Sequence, residues 1–139
     1  MLPLLAATAL LAGCGGGGSA HRGRTVTVPS YAGFPPMTIT GTYDPAECTA
    51  DSDAFAREGR LFALHSGAAA AYSADTYYID LRRIWADFEA RDCDPATLGS
   101  VLHARLTPGL RSALVGNLPH DMAQTVREGL TVRSPSKGS

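Results

Sequence analysis

The stretch that decides the fold is residues 44–72, "DPAECTADSDAFAREGRLFALHSGAAAAY". It opens with a capping residue, Asp44, then a proline at the first helical position and a glutamate, Glu47, at the third. That is the order of a helix start. A short first turn followed by a long helix from about Asp51 to Tyr72 is expected, because Phe55, Leu61, Phe62, Leu64, Ala68, Ala69 and Tyr72 make a broad apolar stripe. Ser73-Ala74-Asp75 reads as a turn carrying a new cap. A second helix is expected from about Asp75 to Arg91, with Tyr77, Tyr78, Leu81, Ile84, Trp85 and Phe88 on one wide face. Its other face carries Asp80, Arg83, Asp87 and Arg91 at spacings of three or four, a ladder of surface pairs that supports a helix weakly.

Three shorter helices follow, each opened by a first-turn proline. Asp94-Pro95 leads into Leu98, Val101, Leu102 and Leu106; Thr107-Pro108 into Leu110, Ala113, Leu114 and Leu118; Leu118-Pro119 into Met122, Ala123, Val126 and Leu130. Upstream, "TVTV" and "MTIT" are short β-branched alternating runs separated by Pro29, Gly33 and Pro35-Pro36. They read equally as a packed hairpin or as an extended arm along the body.

The fold class expected is therefore all-α: a small helical bundle with an extended or short β-hairpin N-terminal arm. The expected divisions are a signal peptide at 1–13, a lipidated cysteine and Gly-rich tether at 14–24, the arm at 25–43, the helical domain at 44–131 and a disordered tail at 132–139. If the two long helices form an antiparallel hairpin, the start of the first lies beside the end of the second. Cys48 and Cys93 sit at those two places, so the chain order predicts a Cys48–Cys93 disulfide.

Cys14 lies between an apolar run and a glycine tract in "LLAGCGGGGS", residues 10–19. The uncharged run before it, about 12 residues, is shorter than the roughly 20 a membrane-spanning helix needs and reads as a targeting segment. Leu11-Ala12-Gly13-Cys14 resembles the lipobox of bacterial lipoproteins at every position, over about the first tenth of the chain. The resemblance implies cleavage between Gly13 and Cys14 and a diacylglyceryl anchor on the Cys14 thiol. Its two acyl chains give stable membrane attachment where one would be marginal, and Gly15–Gly18 with Ser19 serve as a flexible tether. Signal peptides normally open on Lys or Arg, which Met1-Leu2-Pro3 lacks, a departure consistent with a start upstream of Met1. The expected location is the extracytoplasmic face of a plasma or outer membrane.

All thirteen acidic residues fall between Asp44 and Glu128, against eight arginines there, a formal surplus of five negative charges. An acidic body with no basic stripe argues against a nucleic-acid partner. No phosphate loop, histidine pair at metal spacing or nucleophile elbow occurs, so no catalytic residue is assigned and an enzyme is the least favoured class. Of the four histidines, His65 borders the apolar face of the first helix and reads as a hydrogen-bonded core-edge residue rather than as a base or ligand. Tyr72, Tyr77 and Tyr78, with Trp85 two turns on, are the candidate contacts for a ligand or partner, and Trp85 is weighted towards core. A drawn bridge would also gather Asp44, Glu47, Asp51, Asp53, Asp92 and Asp94 at one end. Calcium is the minor reading of that cluster, and helix caps the preferred one. The leading functional expectation is a non-enzymatic lipoprotein contacting another envelope protein; the second is a module binding cell-wall sugar, lipid or calcium.

Overall fold

The computed structural model describes residues 21–30, 33–66 and 71–131, with the backbone alone described for 71–75. The signal peptide, the cleavage site at Gly13, Cys14, the Gly tract and the 132–139 tail lie outside the described residues, as does the side chain of Tyr72. Within them the chain runs β1 (Thr25–Val28), β2 (Met37–Thr40), α1 (Pro45–Leu64), α2 (Ala71–Ala90), α3 (Pro95–Arg105), α4 (Pro108–Asn117) and α5 (His120–Thr131).

Asp44 caps α1 as expected, its Oδ1 accepting from the Ala46 and Glu47 amides at 2.9 and 3.4 Å. Two boundaries differ from expectation. The first helix is continuous from Pro45, with no separate turn before Asp51, and it ends at Leu64. There the His65 ring Nδ1 donates back to the Leu61 carbonyl at 2.8 Å and the Ser66 hydroxyl to that of Phe62, so side chains satisfy carbonyls that a longer helix would have used. Ser73-Ala74-Asp75 is not a turn: it lies within α2, which starts at Ala71. Short polar residues suit the opening of a helix as well as its cap, and the signal was one turn late.

The stripe that α1 buries is Cys48, Ser52, Phe55, Ala56, Gly59, Phe62 and Ala63. Leu64 falls about 200° around the helix from Phe62 and is 52% exposed, outside the face the sequence suggested. α1 packs against α2, α3 and α4, while α5 packs mainly on α3. The helix α2 ends in a Schellman arrangement: the Asp92 amide donates to Glu89 O and the Cys93 amide to Phe88 O, with Asp92 at φ 62°. This reversal turns Cys93 back toward α1, where it is bonded to Cys48 with a Cα separation of 5.6 Å. The expected staple is present, and the two long helices run antiparallel.

The arm is a hairpin. β1 and β2 pair antiparallel with Thr25 opposite Thr40 and Val28 opposite Met37, and the Thr25 and Thr40 hydroxyls bond across the ladder at 2.7 Å. Both strands pack on α2, which supplies the surface a lone hairpin lacks. The expected tether stops short of Arg24. The Arg24 amide donates to Ala90 O at 2.7 Å and the Tyr43 amide to Arg22 O at 3.3 Å, and the His21 ring stacks on Tyr43 at 4.8 Å. Gly23, at φ +100°, allows this approach, since a Cβ there would lie 2.2 Å from Gly41 O. Residues 21–24 thus extend the folded body rather than a solvated linker.

Candidate functional site

The stripe Tyr78, Arg82, Trp85 and Glu89 runs along α2 at helical spacing and faces the arm and α5. Arg82 is 5% exposed and directs its guanidinium at the loop between the strands, Nη2 donating to Pro29 O at 3.0 Å and to Pro35 O at 2.7 Å. Beside that loop lies a hollow of about 190 Å³ walled by Val28, Pro29, Ser30, Tyr78, Trp85 and Met122, with Pro119, His120 and Asp121 at the start of α5. Val28, Tyr78 and Met122 are nearly fully buried, so the hollow is apolar.

A wider polar cleft of about 460 Å³ lies next to the hollow, and Trp85 and Asp121 line both. A chain of hydrogen bonds closes the cleft floor. Trp85 Nε1 donates to Thr125 Oγ1 at 3.1 Å, Thr125 donates to Glu89 Oε2 at 3.0 Å, and Arg24 donates to Glu89 Oε1 at 2.7 Å. Arg24 also donates through Nε to Glu89 O at 3.1 Å, and the chain as a whole fixes the indole edge and joins arm, α2 and α5. Compared with known protein families, curated proteins and solved structures, the chain matches none.

Of the three tyrosines offered as contacts, the two whose side chains are described point apart. Tyr78 is buried against Phe34, ring centroids 6.1 Å apart, and lines the hollow, while Tyr77, one residue and about 100° around the helix, packs on His65 at 5.3 Å. His65 is the core-edge residue anticipated. His103 reaches Leu130 O at 3.4 Å, away from the cleft. Trp85, weighted towards core, packs half-buried against the core and also forms a wall of the site.

The six carboxylates considered for calcium do not converge. Asp44 and Asp94 cap α1 and α3, Asp53 pairs with Arg105 at 3.0 Å, Asp92 lies 3.8 Å from His21, and Glu47 is exposed in the first turn of α1. Among the described residues no three His, Cys, Asp or Glu side chains are grouped to hold a metal ion. Chain order placed these residues near one another, but capping holds Asp44 and Asp94 at their own helix ends and separate partners hold Asp53 and Asp92.

Asp51 has a different role, which its position in the sequence did not signal. It faces Asp87 across α1 and α2, and Arg91 Nε lies 2.9 Å from Asp87 Oδ2 and 4.0 Å from Asp51 Oδ2. The expected Asp87–Arg91 surface pair is therefore part of an inter-helix group, and Arg91 also donates to Thr42 O at 3.2 Å. Asp51 Oδ2 is buried without a hydrogen-bond partner while the carboxyl is ionised. Burial, the hydrogen bond with Asp87 and the charge on Asp87 push Asp51 up to about 8. Burial works against the charge on Asp87, yet hydrogen bonds from Asp51 and Arg91 bring it below the ordinary value. The two carboxyls share one proton at neutral pH.

A carboxyl raised in the folded state contributes stability that is full below its unfolded value, near pH 4, and is lost as pH rises through about 8. Asp51→Asn keeps a neutral, hydrogen-bonding group there at every pH. We expect the variant to match the wild type most closely at about pH 4 and to melt about 5 °C higher at pH 9. An equal difference at both pH values in thermal melts would mean that Asp51 is ionised throughout. The pair lies about 200° around α2 from the Trp85 stripe, so it braces the helical hairpin and has no place in the cleft.

Proposed function

We propose that the protein is a lipid-anchored, non-enzymatic binding module on the extracytoplasmic side of a membrane, with the Trp85 cleft as its ligand site. The anchor half rests on the lipobox-like Leu11–Cys14 after an apolar run. The Cys48–Cys93 disulfide agrees with it, since such bonds belong to oxidising compartments. Among the described residues no helix is long and apolar enough to cross a membrane, and on this reading attachment is through acylated Cys14.

The binding half rests on an apolar hollow and a polar cleft that share Trp85 in their linings. Concave sites with an apolar wall and a few fixed polar groups are the usual form of small-ligand sites. An envelope contact protein, the other class expected from sequence, calls for a broad exposed apolar face. Among the described residues the large apolar side chains that stand exposed are Leu64 and Ile79. That observation favours the ligand reading.

Two measurements test the two halves. Cys14→Ser is expected to move the protein from the membrane fraction to the soluble extracytoplasmic fraction, and continued sedimentation with membranes refutes the anchor. Trp85 is the single tryptophan, so its emission reports on the cleft directly. A saturable change with cell-wall fragments, lipid headgroups or small amphiphiles, abolished when Val28→Phe fills the hollow, is the expected result. Silence towards all of them, with a specific envelope protein captured by cross-linking in intact cells, would give the role to a contact protein.

A further inference from the structure

We infer that the ligand of the Trp85 cleft is an organic cation, an ammonium carried on a compact apolar group; this rests on the binding reading above and adds the charge and shape of the occupant. The hollow is apolar, walled by Val28, Tyr78 and Met122, and suits the body of such a molecule. The boundary between the hollow and the polar cleft is formed by two residues that line both spaces, Trp85 and Asp121. A cation at that junction meets an indole and a carboxylate together, the two groups that attract an ammonium in a partly dry site.

Charge in the cleft is unevenly matched. Glu89 is held by Arg24 at 2.7 Å, and that pairing also takes up the charge of the arginine in the lining. Asp92 faces His21. Asp121 and Glu128 are exposed and make no ion pair among the described residues. Seven residues apart on α5, they point the same way, along the cleft. The first turn of α5 carries a partial positive charge of roughly half a unit, which opposes a cation. The full carboxylate of Asp121 in that same turn outweighs it, and Glu128 lies two turns beyond its reach.

Three probes with one apolar body and different charge separate the possibilities: phenylbutylamine, phenylbutanol and phenylbutyrate, titrated against Trp85 emission at pH 8 and low salt. The amine is expected to bind about tenfold more tightly than the alcohol, with the carboxylate weakest. Added salt should narrow the gap. Asp121→Asn is expected to reduce the preference for the amine over the alcohol to about twofold. Because Asp121 also stabilises the start of α5, Glu128→Gln provides a second variant away from the helix end, expected to reduce the preference by a smaller factor. Equal or tighter binding of the alcohol or carboxylate, or a preference that survives both variants, overturns the cation while leaving the binding site standing. No saturable response to any of the three, with wall fragments and lipid headgroups also silent, overturns both readings.

Discussion

Reduction of the Cys48–Cys93 bond is expected to destabilise the domain by about 4 kcal/mol, the loop-closure value for a separation of 45 residues. For a body of this size that is a large share of the whole, and the melting temperature should fall by roughly 15 °C. The bond joins the start of α1 to the end of α2, so reduction frees the end of the helical hairpin against which the arm is also held, through Arg24 on Ala90. Both sulfurs are buried, Cys48 at 3% and Cys93 at 7% exposure, so the free thiols would remain in the core as small apolar groups. A Cys48→Ala, Cys93→Ala variant, which lacks the constraint but keeps an apolar core, should therefore melt close to the reduced wild type. Calorimetry with and without reductant decides it: an unchanged melt would mean that α1 and α2 are held by packing alone and that the bond adds nothing to the denatured-state constraint.

Much of this frame was legible because its signals are local. Asp44-Pro45, Asp94-Pro95 and Thr107-Pro108 each state a helix start within two residues, and each proved to be one. The disulfide followed from chain order once the helices were drawn. The site was less legible because it is assembled from three segments far apart in sequence: the end of β1, the Tyr78 stripe and the start of α5. Adjacent tyrosines read as a cluster in one dimension but point about 100° apart on a helix. Arg82 is a signal that the sequence does carry. It sits in step with Tyr78, Trp85 and Glu89 on the side of α2 that meets the arm, and a charged residue in such a stripe needs backbone carbonyls to accept from it. Asp51 gave no comparable signal, since its partner Asp87 had an evident local mate in Arg91. Only the antiparallel packing of α1 on α2 brings the third group in.

Gly99→Ala and Gly129→Ala are each expected to lower stability by about 3 kcal/mol, although alanine is the better helix former by about 1 kcal/mol. The reason lies where α3 crosses α5. A Cβ on Gly99 would stand 2.0 Å from Gly129 O, and one on Gly129 would stand 2.2 Å from Pro95 O. In both cases the obstacle is backbone, so relief requires the two helices to separate. Separation would loosen the contacts of Leu98, Leu102, Met122 and Val126, all 2% exposed or less. Two other helical glycines calibrate the effect. At Gly59 the nearest atom to an added Cβ is Leu114 Cδ2 at 3.2 Å, the movable end of a side chain, and Gly116 has nothing within 4 Å. Gly59→Ala should stay within about 1 kcal/mol of the wild type, and Gly116→Ala should stabilise by about 0.5 kcal/mol through propensity alone. Denaturant melts of the four variants then separate steric from conformational terms. If Gly99→Ala behaved like Gly116→Ala, the close crossing of α3 and α5 would be dispensable. The start of α5, which carries Asp121 and one wall of the Trp85 cleft, would then be positioned by its side-chain bridge to Trp85 and Glu89 instead.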